Sequence, residues 1–156
     1  MFTLLRQLDT LRRGAALQRD GRRWMAIRHV DAGSCNGCEH ELGLLTTPLH
    51  DIQRHGLDIV ASPRHADILL VTGPVTHHMA TPLRTAYQAM PTPRLVAALG
   101  DCALGCNVLG DRTQFVGRLE DVLPVDIRIP GCPPDPATIA ATLLTALAEL
   151  RVQPRS

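Results

Sequence analysis

The chain has 156 residues, 45% of them apolar but only 3% aromatic, which allows one domain whose core is built from Ala, Val, Leu and Ile. Sixteen arginines and no lysine nearly balance fifteen acids to leave a formal charge of +1, so composition gives no basis for a nucleic-acid partner. No run approaches the roughly 20 apolar residues of a membrane span and none follows an arginine pair as an export signal would, so the five cysteines read as cytoplasmic metal ligands or redox groups rather than disulfides.

Residues 1–23 hold six arginines against Asp9 and Asp20, a net +4, and the remainder is net −3. Leu4, Leu5, Leu8 and Leu11 recur there at helical spacing. The segment is read as a basic amphipathic docking element for a membrane partner, set apart from an α/β domain at 24–152. Its plainer meaning is a solvated surface helix.

Five short buried strands follow in order: Trp24 to Val30, Leu57 to Ala61, Asp67 to Thr72, Arg94 to Leu99 and Val125 to Ile129. They are rich in Val, Ile and Leu, and Gly33, Gly73, Gly100 and Gly131 supply turns after them. Helices fit near Glu39 to Thr46, Thr76 to Ala89 and Pro136 to Leu150; the last has proline in its first turn and an apolar face through Ile139, Leu143, Leu144 and Leu147. Alternating strand and helix predict an α/β fold, a mostly parallel sheet with helices on both faces.

Ligands of open α/β sheets bind beyond the carboxyl ends of the strands. The cysteines fall at such ends: Cys35 and Cys38 after the first strand, Cys102 after the fourth, Cys132 after the fifth. Three loops distant in sequence could deliver four thiolates to one point, provided those strands are neighbours. A lone Cys-x-x-Cys pair is equally a zinc knuckle or half of a redox disulfide. Cys132 lies between Gly131 and Pro133-Pro134, and a Cys-Pro step recurs among iron–sulfur ligands. Sulfur-only ligation suits zinc or iron–sulfur. Zinc ribbons use two close pairs, whereas one pair joined by two distant single cysteines favours a cluster.

The sequence also resembles a known family, the small-subunit core of nickel–iron hydrogenases and the homologous cluster-bearing subunit of respiratory complex I. The likeness runs from about His29 to Leu150 through Asp31-Ala-Gly-Ser-Cys-Asn-Gly-Cys38-Glu39, Ser62-Pro-Arg-His-Ala-Asp-Ile-Leu-Leu-Val-Thr-Gly-Pro-Val-Thr76, Gly100-Asp-Cys102 and Ile129-Pro-Gly-Cys-Pro-Pro134. It implies a flavodoxin-like, doubly wound fold and a single 4Fe-4S cluster held by Cys35, Cys38, Cys102 and Cys132, facing the active site of a larger partner. Complex I subunits carry adjacent cysteines where this chain has Cys35-x-x-Cys38, which looks like the hydrogenase pattern. With no export signal or cluster-bearing C-terminal extension, it looks most like the small subunit of membrane-bound, energy-converting hydrogenases of the formate hydrogenlyase type.

The resemblance thus implies an electron-transfer subunit of an oxidoreductase complex, the substrate chemistry occurring in the partner. The implied partners are a hydrogenase-like large subunit, a ferredoxin-like iron–sulfur subunit and an integral membrane subunit, on the cytoplasmic face of the inner membrane. The alternatives are a complex I-like quinone-reductase subunit and a zinc-stabilised interaction module without a redox role. Cys106 departs from the family, which is expected to carry glycine there, and is read as a non-ligand.

Among other polar residues, Glu41 is favoured over Glu39 as a carboxylate that tunes a cluster or relays protons, against the plain reading of charge at a helix N-terminus. Asp101, His77, His78, Arg64 and His65 read chiefly as turn and surface polarity. His29, His40, His50 and His55 have no metal-ligand spacing.

Overall fold

A computed structural model describes residues 24–105 and 112–152. The docking element expected at 1–23 lies outside the described residues, as does Cys106. The described strands are β1 (Met25–Asp31), β2 (Leu57–Ile59), β3 (Ile68–Thr72), β4 (Val75–Thr76), β5 (Leu95–Leu99), β6 (Phe115–Gly117) and β7 (Ile127–Ile129). The described α-helices are α1 (Gly37–Leu44), α2 (His77–Ala89), α3 (Asp101–Leu104) and α4 (Pro136–Val152).

Parallel strands covered on both faces read as unbroken apolar runs, and β3 and β5 are buried at every position. They sit at the centre of a five-stranded parallel sheet in the order β2-β1-β3-β5-β7. This is the doubly wound, flavodoxin-like order, in which the chain reverses direction at the seam between β1 and β3. Successive side chains take opposite faces. Ile27, Ile68, Leu70, Leu95, Ala97 and Leu99 therefore pack with Leu42 of α1 and Ile139, Leu143 and Leu147 of α4. Val30, Leu69, Val71, Val96 and Ala98 pack on the other face with Ala80 and Leu83 of α2.

All five expected strands are present and parallel, with bounds that differ by one to two residues. The three expected helices are present too. Among the elements that escaped the sequence are the antiparallel β4–β6 ribbon and the single turn of α3. Both are too short to carry a hydrophobic period. One expectation is corrected. The first and fourth expected strands, β1 and β5, are not neighbours, because β3 lies between them. With strands about 4.8 Å apart, β1 and β7 are roughly 14 Å apart across the sheet, so the loops rather than the strand ends must bring the cysteines together.

Candidate functional site

The loop after β1 is built by Asp31, whose Oδ1 accepts the amide N–H of Gly33 at 2.8 Å and of Ser34 at 2.7 Å. Asn36 caps α1 in the left-handed conformation, φ 68°, which a short polar side chain tolerates. Cys35 thus lies on an exposed rim and Cys38 in the first turn of α1, half-buried. Cys102 lies buried in α3, and Cys132 is exposed in the loop between β7 and α4.

Contacts between loops supply the convergence that strand order alone does not. The β3 loop passes under the cysteine pair so closely that a Cβ on Gly73 would stand 2.4 Å from the Ser34 amide nitrogen. A Cβ on Gly100 would stand 2.6 Å from Cys38 Sγ, so the β1 loop reaches across the end of β3 to the end of β5. The β5 and β7 loops are stitched reciprocally: Asp101 N–H donates to the Gly131 carbonyl at 2.8 Å, and Gly131 N–H donates to Asp101 Oδ1 at 2.8 Å. Pro133 lies 3.8 Å from where a Gly37 Cβ would stand, and Cys35 Sγ lies 3.5 Å from the same point. The three cysteine loops touch pairwise.

The electrostatics agree. Burial first, then the charge of Glu39 and the neighbouring Cys102, Cys35 and Cys132, push the Cys38 thiol from an ordinary 9.0 up to about 12. Each of the other three cysteines therefore lies within the field of Cys38. Among the described residues, no three Cys, His, Asp or Glu side chains are gathered into a ready-made single-ion site. The all-thiol donor set fits a sulfur-ligated group, zinc or iron–sulfur, and glycine at position 100 leaves the room that Cys38 Sγ occupies.

One acid stands out that the sequence reading undervalued. Glu39, not Glu41, is engaged: its Oε2 accepts the Ser34 hydroxyl at 2.6 Å, and its Oε1 accepts the Thr72 hydroxyl at the end of β3. Two residues along a helix turn the side chain by about 200°, which takes Glu41 away from the sheet. His29 Nε2 lies 2.9 Å from Thr72 Oγ1 and 3.5 Å from Glu39 Oε1. Burial lowers the His29 pKa despite the opposing pull of Glu39, so the ring is neutral at neutral pH.

The side chains of the remaining candidates are turned to solvent. His77 and His78 are exposed on the first turn of α2, and Arg64 and His65 are exposed in a turn ahead of β3, at the sheet end opposite the cysteines. His40 and His55 are exposed as well. Asp101 is the exception, since it ties two cysteine loops. Its role required knowing that Gly131 lies beside it, thirty residues away.

Residues 35–146 match the family model described as NADH ubiquinone oxidoreductase, 20 Kd subunit. The chain is 43% identical over 124 residues to the probable membrane-bound hydrogenase subunit mbhJ of Pyrococcus furiosus, covering 80% of this chain and 74% of that protein. It is 40% identical over 136 residues to formate hydrogenlyase subunit 7 of Escherichia coli, covering 87% of this chain but only 53% of that one. A chain of the archaeal membrane-bound sulfane sulfur reductase complex shares the fold with a TM-score of 0.73 and 26% identity, covering 87% of this chain and 75% of that chain.

Proposed function

The chain belongs to the NADH ubiquinone oxidoreductase 20 Kd subunit family, and from that premise we propose that it is the electron-transfer subunit of a membrane-bound hydrogenase or complex I-like oxidoreductase. It holds one 4Fe-4S cluster on Cys35, Cys38, Cys102 and Cys132. The observation that carries this reading is the meeting of the three cysteine-bearing loops, with Cys38 Sγ against Gly100 and the reciprocal Asp101–Gly131 bonds joining the other two. When bound, the cluster supplies one-electron transfer.

The chain's own part is to hold and shield. Cys38 and Cys102 grip from the protein side, while Cys35 and Cys132 hold the solvent-facing rim. An exposed rim around a redox group needs cover, and a hydrogenase-like large subunit is its partner there, with the substrate chemistry on that subunit. A ferredoxin-like iron–sulfur subunit and an integral membrane subunit complete the electron path at the cytoplasmic face of the inner membrane, with the net +4 of residues 1–23 as docking charge. Among the described residues no helix is long and apolar enough to cross a membrane.

The Cys35-x-x-Cys38 spacing and the names of the two relatives favour the hydrogenase reading. The description of the matched family favours a second, quinone-linked reading. The partner separates them: a large subunit with two Cys-x-x-Cys pairs belongs to a hydrogenase, and one without them to a quinone-linked or other complex. The cluster is tested on anaerobically purified complex, which should absorb broadly at about 400 nm. Serine at any one of the four cysteines should remove or convert the cluster. A colourless protein containing zinc would make the chain an interaction module, and unchanged iron and EPR in all four variants would overturn the ligand set.

A further inference from the structure

We infer that Glu39 is a positioning residue that latches the Cys35–Cys38 loop onto the β1–β3 seam, an inference that rests on the cluster reading above. The carboxylate brackets the cysteine pair from both ends. Glu39 directly follows Cys38, and its Oε2 holds the hydroxyl of Ser34, which directly precedes Cys35. Its Oε1 holds the hydroxyl of Thr72, which is fully buried at the end of the central strand β3. One side chain thus ties the two ends of a four-residue ligand loop to each other and to the most rigid part of the sheet.

The direction of the bonds follows from the acceptor. A carboxylate only accepts, so both hydroxyls donate to it. Thr72 Oγ1, having given its proton to Glu39, accepts from His29 Nε2, which assigns the Nε2–H tautomer to this neutral histidine. Ser34 Oγ likewise accepts the Asn36 amide at 3.1 Å, which extends the latch into the turn between the cysteines. Every donor in the chain His29–Thr72–Glu39–Ser34 is therefore spent on holding the loop. A carboxylate serving only the helix dipole would need none of these partners.

That contrast sets the test. Glu39→Gln removes the charge but keeps an acceptor and a donor, and the two hydroxyls can reverse roles to suit. Glu39→Ala removes both bonds, and Thr72→Val removes the anchor while keeping its volume. In the anaerobic complex, iron release to an excess of chelator should be about tenfold faster in Glu39→Ala, as for loss of a supporting partner behind a metal ligand. It should be a few-fold faster in Thr72→Val and within about twofold of wild type in Glu39→Gln. The EPR signal of the reduced cluster should broaden in Glu39→Ala and recover in Glu39→Gln. Wild-type release and EPR in both Glu39→Ala and Thr72→Val would overturn the latch, and Glu39→Gln as impaired as Glu39→Ala would assign the effect to charge. If Glu39→Ala does not assemble, the Thr72→Val and Glu39→Gln pair decides by the same criteria. A wild-type protein without iron would instead sink the cluster reading. The latch is then read from amide exchange over residues 33–39 of the iron-free chain, faster in Glu39→Ala and preserved in Glu39→Gln if it holds, and unchanged in Glu39→Ala if it does not.

Discussion

Replacing Gly100 by alanine tests the convergence of the cysteine loops most directly. Gly100 takes φ 88° and ψ 157°, a region nearly confined to glycine, where another residue costs about 1–3 kcal/mol. Its new Cβ would stand 2.6 Å from Cys38 Sγ, about 1 Å inside ordinary contact. Gly100 cannot retreat freely, because its N–H is held by the Ile129 carbonyl at 2.8 Å, so the sulfur or the loop must move, at about 1–3 kcal/mol for overpacking. A total of about 2–6 kcal/mol is a large share of a typical 5–15 kcal/mol. At about 2–4 °C per kcal/mol for a chain of this size, it corresponds to a Tm lower by roughly 5–20 °C. Thermal unfolding by circular dichroism measures it, with iron content as the second readout, since the displaced ligand is Cys38. Gly43→Ala is the control: a Cβ there meets nothing within 4 Å in the same helix as Cys38, and the change should be neutral or stabilising by about 0.5–1 kcal/mol. Gly100→Ala with an unchanged Tm and full iron would refute the packing of Gly100 against Cys38.

The iron-free chain should show an alkaline signature of Cys38. Because folding raises this thiol from 9.0 to about 12, the unfolded chain loses the proton first, so the associated stability is present below pH 9 and declines as pH climbs toward 12. Urea midpoints across that range, with alkylation at Cys38 slower than at exposed Cys35 and Cys132 at pH 8, measure it; equal alkylation rates would contradict the burial. Cys106→Ala should leave iron content and EPR near native, whereas Cys102→Ala should not. Cys102 sits within α3, and Gly105 ends that helix in the left-handed conformation, φ 101°, before Cys106 is reached. The opposite pattern would exchange the third ligand.

Much of this molecule is written locally. Central strands of a covered parallel sheet need apolar residues on both faces, so Ile68–Thr72 and Leu95–Leu99 announce themselves as unbroken runs. The cysteines follow strand ends in the chain itself, and a loop leaving a parallel strand can only emerge at its carboxyl edge. Fold class, and the placing of the cysteines after strand ends, were therefore legible from residue order. The tertiary structure decided what depends on partners remote in sequence. Strand order inserted β3 between β1 and β5, so convergence came to rest on loops crossing at Gly73 and Gly100. The choice of Glu39 over Glu41 rests on Thr72, thirty-three residues away, and the stitch of Asp101 to Gly131 spans thirty. A hydrogen bond depends on where two atoms lie after the chain has closed on itself, and neither helical period nor residue type at one end of such a bond specifies the other.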